Sequence, residues 1–435
     1  MFVSFDTLAL VRKAGGESVP KSYVRRVVDA EIASALRALP AVVLEGPRAC
    51  GKTSTGHQHA RSEVMFAGNA GTRTAASVDP TKLLMGAEPR LLDEWQLAPE
   101  IWNHMRAAAD DGQRPGRFIL TGSAAPADDI TRHTGAGRVK RIRMRPMSLF
   151  ETGLSSGEIK LGDLFVGSAG YVEPPPVSLS DLIEAACRGG WPASISLSIE
   201  ASQEYAGSYL EEMCRADIPQ LGTARSTVRL RRLLRSLARN IATEVSQRTL
   251  AADTVGEIPL DARTVAAYLD ALACVYATED LPAWSTALRS RANLRQTPKR
   301  HLADPSLAVA ALGANPTQLY DDLETFGLLF ESMVIRDLQV YAQPLDGELA
   351  HYRDSNGLEV DAIVERRDGS WLAIEIKLGG ETAINQAART LLKLRATIDT
   401  SRSATPSKLL IITATSHGYD RPDGTTVIPI TALGP

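Results

Sequence analysis

An α/β fold in several units is predicted by three stretches of this 435-residue chain. Ala41 to Thr53 reads AVVLEGPRACGKT, an apolar strand running into a Gly-led loop and then Gly-Lys-Thr. Leu91-Leu92-Asp93-Glu94 is a short apolar run ending in two acids. Val360 to Lys377 reads as two strands around a turn centred on Asp368-Gly369. At roughly 100–200 residues per domain, the length predicts two to four units. A hydrophobic content of 44% is enough for several cores.

Residues 1–22 form a lead-in segment. Over Tyr23 to Leu39, the positions Val24, Val27, Val28, Ile32, Ala35, Leu36 and Leu39 recur at helical spacing, and Pro40 ends the helix. Ala41 to Leu44 is a buried strand that sets where the loop starts. From Gly46 the spacing is Gly-x-x-x-x-Gly-Lys-Thr, the phosphate-binding pattern. Gly46 and Gly51 let the backbone turn and aim its N–H groups at an anion. Pro47, Arg48, Ala49, Cys50 and Ser54 complete the cradle. Lys52 supplies charge for the β- and γ-phosphates, Thr53 a hydroxyl for Mg²⁺, and the helix starting near Lys52 its positive end. His57 and His59, two residues apart, point to different helix faces and read as solvated rather than as co-ligands.

Asp93 is placed to hold Mg²⁺, directly or through water, and Glu94 to polarise an attacking water. Phe118-Ile119-Leu120-Thr121-Gly122-Ser123 is a strand ending in hydroxyls. Thr121 or Ser123 reaches the γ-phosphate there, or else both cap the next turn.

The ordered segments EGPRACGKT, DEWQLAPEIWNHMRAAADDGQRPGRFILTGSA and GAGRVKRIRMRPMSLFETG resemble stand-alone bacterial and archaeal ATPases of the AAA+ superfamily. In that family a P-loop NTPase core precedes a C-terminal region of unknown function. The resemblance implies an ATPase core over residues 23–153 with ATP and Mg²⁺ as cofactors. It makes Lys52 and Thr53 the loop's ligands, Asp93 and Glu94 the acidic pair, and Thr121 or Ser123 the sensor. Arg138 matches the family's late arginine and would act as a finger on a neighbouring subunit. Arg132 is the alternative, and a plain surface arginine is the other reading of either. A homo-oligomer is implied by the superfamily alone. Val139 to Arg145 alternates basic with apolar residues after Arg141, the pattern of a strand with one basic face, and Pro146 stops it.

Leu154 to Ser178 is Gly-, Ser- and Pro-rich and reads as a linker. Residues 179–300 form a helical, winged-helix-like unit. Leu179 to Leu221 is helical apart from the Arg188-Gly189-Gly190-Trp191-Pro192 turn. In the following helix, Val228, Leu230, Leu233, Leu234 and Leu237 form an apolar stripe, with Arg225, Arg229, Arg232, Arg235 and Arg239 largely opposite. Asp261 to Leu269 suits the second helix of a helix-turn-helix, and the family resemblance also suggests a winged helix. The basic helix then either contacts nucleic-acid phosphates or is a solvated face. Arg289, Arg291, Arg295, Lys299 and Arg300 add further charge.

Residues 301–435 form the last unit. Phe326 to Leu338 is an amphipathic helix carrying Glu331. In the hairpin, alternation places Asp361, Glu375 and Lys377 on one face and Leu372, Ile374 and Ile376 on the other. Two carboxylates and a lysine on one face can bind Mg²⁺ and position a water for phosphodiester cleavage; the alternative is a hairpin with a salt bridge. Asp361 followed by Glu375-Ile376-Lys377 resembles the restriction-endonuclease-like fold, whose αβββαβ core the following helix and strand would complete. The resemblance makes Glu331 the helical acid.

The net charge of −3 excludes a global basic bias. The four cysteines are scattered, without a CxxC pair, so no zinc site or disulfide framework is expected. No apolar run is long enough for a membrane span, and the N-terminus does not read as a secretory signal. A cytoplasmic protein is expected, with ATP or ADP and nucleic acid as partners. Three functions fit: an ATPase coupled to a nucleic-acid-directed region, a nucleotide-gated DNA-binding scaffold with little hydrolysis, or an ATP-switched, metal-dependent nuclease.

Overall fold

The computed structural model describes residues 23–111, 114–122, 135–167, 170–218, 226–254, 260–285, 297–399 and 404–435. The lead-in, Ser123, Arg132, Arg225, Arg289, Arg291 and Arg295 lie outside those residues.

The first unit is a parallel sheet of β1 (Ala41–Glu45), β2 (Ser62–Met65), β3 (Arg90–Asp93), β4 (Phe118–Gly122) and β5 (Val139–Arg143), in the order β2-β3-β4-β1-β5. Every residue of β4 and the first four of β1 are buried, the near-continuous apolar reading of strands covered on both faces. The helices are α1 (Asp29–Ala38), α2 (Lys52–His59), α3 (Ala70–Val78), α4 (Pro80–Leu83) and α5 (Ile101–Asp110). The expected helix over Tyr23 to Leu39 begins only at Asp29. Its carboxylate accepts from the Arg26 amide at 2.8 Å and the Tyr23 hydroxyl at 2.8 Å, which holds the preceding residues out of the helix.

A helical layer follows: α6 (Leu179–Arg188), α7 (Ile199–Glu212), α8 (Thr227–Arg239), α9 (Gln247–Asp253), α10 (Ala262–Cys274) and α11 (Pro305–Leu312). The caps are written in the sequence. Ser178, Ser198, Ser226, Ser246, Asp261 and Asp304 each accept a backbone N–H in the first turn. On α8, Leu230, Leu233, Leu234 and Leu237 are buried as expected, but Val228 is exposed. α11 packs on α6, α7 and α8, so the expected start of the last unit at His301 falls inside this layer. The stretch read as a linker is packed as well. Leu161 and Leu164 are buried, and β6 (Ile159–Lys160) runs parallel to residues 433–434.

After α10 the chain forms a ribbon. Leu281 and Lys299 exchange backbone hydrogen bonds, Glu279 donates to His301, and Ala303 to Ala277. The ribbon extends a second sheet, because Trp284 donates to the His351 carbonyl and the His351 amide to Pro282.

The last unit runs α12 (Pro316–Asp321), α13 (Leu323–Ala342), β7 (Gly347–Arg353), β8 (Glu359–Arg366), β9 (Trp371–Lys377), α14 (Glu381–Thr397), β10 (Lys408–Thr413), β11 (Tyr419–Asp420), β12 (Thr425–Pro429) and β13 (Leu433–Gly434). The sheet order is β11-β12-β10-β9-β8-β7, with β7, β8 and β9 antiparallel in sequence and β10 parallel to both β9 and β12. Period-2 alternation sorts the strands. Leu372, Ile374 and Ile376 share a core with α13, while Trp371, Ala373 and Ile363 share one with α14.

Candidate functional site: a phosphate-binding loop and a buried acidic cluster

The loop leaves β1 at Gly46, whose φ is 154°; a Cβ there would sit 2.1 Å from the Met144 carbonyl oxygen. Glycine is required by that close approach of two backbones. Ala49 (φ 59°) and Gly51 (φ 101°) take left-handed conformations that close the turn onto α2. Lys52 is buried, and its Nζ donates to the carbonyls of Gly46 (2.9 Å) and Pro47 (2.7 Å), across the loop's mouth. The Cys50 side chain is fully buried against the Met144 carbonyl, and Ser54 is exposed on α2.

Strand order explains how the acids meet the loop. β4 lies between β1 and β3, so the tips of three strands line up. Asp93, buried at the tip of β3, accepts on Oδ1 from the Thr53 hydroxyl at 2.7 Å and the Thr121 hydroxyl at 2.6 Å. Thr121 also accepts from the Glu94 amide at 3.4 Å. It therefore braces Asp93 and Glu94. Glu94 has φ 55°, an uncommon conformation for this residue, and its carboxylate accepts from Gln96. Thr53 and Asp93 together present the hard oxygen donors that Mg²⁺ takes, so the residues fit that ion.

Arg138 lies elsewhere. It precedes β5, and its carbonyl accepts from the Ala41 amide at the entry end of β1. The loop leaves the other end of that 5-residue strand, at about 3.3 Å per residue. The separation is roughly 15 Å along the strand, which excludes Arg138 as a finger within its own subunit in this arrangement. Its guanidinium is paired with Asp110. The basic face expected on β5 is also neutralised: Lys140 pairs with Glu31, Arg141 with Glu45, and Arg143 and Arg145 with Glu279 at 3.0 and 2.7 Å. Of the histidines, His57 is exposed as expected and pairs with Glu63 at 2.7 Å, whereas His59 is largely covered, with Nε2 3.0 Å from Asp29.

In the last unit Glu331, Asp361, Glu375 and Lys377 do come together. Lys377 Nζ lies 2.8 Å from both Asp361 and Glu375. A fifth group joins them: Lys299, on the ribbon, sits 2.9 Å from Glu331, 3.1 Å from Glu359 and 3.2 Å from Asp361, and its side chain is 2% exposed. Burial, aided by the Asp361 charge, pushes Glu331 and Glu375 up to about 8. Burial alone would also raise Asp361, but Lys299 and Lys377 outweigh it and hold that carboxyl below its ordinary value. Two ammonium groups thus occupy the cluster expected to bind a metal. Among the described residues, no group of three or more His, Cys, Asp or Glu is arranged to hold an ion.

Residues 39–153 match the family described as an AAA domain. The match spans the loop, the acidic pair and all five parallel strands. Residues 39–153 form an AAA domain. Residues 179–318 and 326–433 match two families described as domains of unknown function, DUF8612 and DUF4143. Over 373 residues the chain is 25% identical to Uncharacterized protein Rv2008c of Mycobacterium tuberculosis (strain ATCC 25618 / H37Rv). It is equally similar to Uncharacterized protein Mb2031c of Mycobacterium bovis (strain ATCC BAA-935 / AF2122/97), and each alignment covers 85% of this chain and 77% of the relative. No described helix is long and apolar enough to cross a membrane.

Three residues that join separate units carry no local motif: two reach the AAA domain and one the acidic cluster. Arg26 donates to the Cys50 carbonyl of the loop at 2.8 Å. Asp217, after α7, pairs with Arg48 of the loop at 2.8 Å. Lys299 reaches the acidic cluster from the helical layer. In the sequence Arg26 and Asp217 sit in stretches read only as helix, and Lys299 is one of several dispersed basic residues.

Proposed function

We propose that this chain is an ATP-binding protein that hydrolyses ATP with Mg²⁺ and couples its nucleotide state to a nucleic-acid-directed C-terminal unit. The single observation that carries the reading is the convergence of Thr53 and Thr121 on Asp93, with Lys52 and Glu94 beside them. When bound, Mg²⁺ would be held by Thr53 and Asp93 and would neutralise charge on the phosphates. Lys52 exchanges its two loop carbonyls for phosphate oxygens. Glu94, held in place by its backbone conformation and by Gln96, orients the attacking water. Arg138, distant from its own loop, serves a neighbour's site in a homo-oligomer.

Coupling is supported by the ion pairs that leave the AAA domain: Arg48 to Asp217, and Arg143 and Arg145 to Glu279 on the ribbon. Within residues 179–300, the three helices α8, α9 and α10 followed by a paired ribbon support the winged-helix reading. Arg232, Arg235 and Arg239 stand exposed on α8, suited to phosphate contacts. The helix, three strands, helix and strand of the last unit support the restriction-endonuclease-like reading. The two ammonium groups in its acidic cluster favour binding over cleavage there, so a nucleotide-gated scaffold is the second reading.

The test is steady-state ATP turnover by the full chain with Mg²⁺. Glu94→Gln should lower kcat by about 10²-fold or more while leaving MgATP binding intact. Turnover that survives both Glu94→Gln and Lys52→Ala would sink the enzyme reading and leave the scaffold.

A further inference from the structure

Behind the phosphate loop lies a side chain with every nitrogen engaged. Arg26 is 5% exposed. Its Nη1 donates to the Cys50 carbonyl at 2.8 Å, its Nη2 to the Arg145 carbonyl at 2.8 Å, and its Nε to Glu151 Oε1 at 2.9 Å. Glu151 is itself saturated. It accepts from the Val27 amide at 2.8 Å, the Ser148 amide at 2.8 Å and the Ser148 hydroxyl at 3.2 Å. The guanidinium fork is thus anchored by a carboxylate and presses against the loop. Its approach is close enough that a Cβ on Gly51 would lie 3.3 Å from Nη1.

Peptide planarity turns this contact into a statement about the ligand face. In a trans peptide the carbonyl oxygen and the following N–H point in opposite directions. The Cys50 carbonyl points at Arg26, in the protein interior. The Gly51 N–H therefore points away from Arg26, toward the face left for an anion. Without that grip the Cys50–Gly51 peptide, which ends on a glycine at φ 101°, is free to rotate its N–H out of the cradle. We infer that Arg26 is a positioning residue of the phosphate loop, holding the Cys50 carbonyl so that the Gly51 N–H faces the bound phosphate. The inference rests on the nucleotide-binding reading above.

The experiment titrates the full-length protein with MgADP and with inorganic pyrophosphate by calorimetry, alongside thermal unfolding. Arg26→Lys keeps the charge beside Glu151 but cannot reach all three acceptors, and Arg26→Met removes the grip. Lys299→Met, whose partners all lie in the last unit, is the control for a general loss of stability. Both Arg26 variants should bind MgADP and pyrophosphate at least tenfold more weakly, with the binding stoichiometry of the folded fraction unchanged. Lys299→Met should lower the unfolding temperature and leave affinity within twofold. Equal losses of affinity in Lys299→Met and Arg26→Lys, or unchanged affinity in Arg26→Lys, overturn the assignment. Should Arg26→Met not fold, Arg26→Lys decides alone. The nucleotide reading fails separately, if the unaltered protein takes up neither ligand; if it binds both and Lys52→Ala abolishes binding, that reading stands whatever Arg26 does.

Discussion

Lys52 and Lys299 are both buried ammonium groups, but they are held in different ways. Lys52 donates to two neutral backbone carbonyls within its own loop. Lys299 sits among three acidic side chains from α13 and β8, having arrived on a ribbon from another layer. The partners of Lys52 carry no charge, whereas removing one partner of a buried ion pair leaves the other uncompensated. Lys52 can therefore trade its partners for a triphosphate at little cost. Lys299 is fixed by acids of the protein itself. The comparison separates a site prepared for an anion from a cluster already satisfied by the protein itself.

The largest expected effect tests the first half of that contrast. Lys52→Met should weaken MgATP binding by about 10²-fold or more, because a charge-assisted contact to the phosphates is lost. The unfolding temperature should barely move, since only two carbonyl contacts disappear. Lys299→Met should do the opposite, destabilising the fold by about 3–5 kcal/mol because Glu331 and Asp361 lose the buried donor they share, while leaving nucleotide affinity unchanged. Adding Glu331→Gln should recover part of the loss. Denaturant titration and calorimetry on both variants decide the matter, and a collapse of nucleotide binding in Lys299→Met would show that the two regions are one site.

A pH series sharpens the same contrast. Glu331 and Glu375, pushed up to about 8 from an ordinary 4.5, keep protons in the folded state that the unfolded chain has released. Their contribution to stability is full below pH 4.5 and is lost as pH rises through 8. His301 and His351, pushed down by burial to about 3 and 4 from 6.5, act in the other sense. Their contribution is present above pH 6.5 and lost as pH falls. The two trends oppose each other below 6.5, and only the carboxyl trend runs from 6.5 to 8. The unfolding temperature should therefore fall across that interval, and Glu331→Gln should flatten the fall. An identical slope in the variant would remove Glu331 from the account.

Legibility followed contiguity. The loop could be read because its spacing lies within one strand–turn–helix, and Asp93 and Thr121 because strand tips of a parallel sheet converge. Parity within one hairpin sufficed for Asp361, Glu375 and Lys377. Lys299 could not be read, because it reaches the cluster through backbone pairing with Leu281, a contact no local periodicity encodes. The same holds for the late start of α1, where tertiary bonds from Tyr23 and Arg26 override helical spacing, and for the basic face of β5, whose partners Glu31 and Glu279 lie on other elements.

The smallest expected effect concerns Arg138, and its smallness within one subunit is informative. The side chain is partly exposed and paired with Asp110, a class of ion pair worth about 0.2–1 kcal/mol. Arg138→Ala should therefore shift the unfolding temperature by no more than a degree or two and leave MgADP affinity unchanged, since the loop lies at the opposite end of β1. An effect on turnover can come only from a neighbouring copy. Specific activity of the unaltered protein should then rise with protein concentration as subunits associate, and the variant's should stay flat. Mixing Arg138→Ala with Lys52→Ala, each inactive alone, should restore turnover, because one copy supplies the arginine and the other an intact loop. Normal turnover in Arg138→Ala at every concentration would return this arginine to the surface.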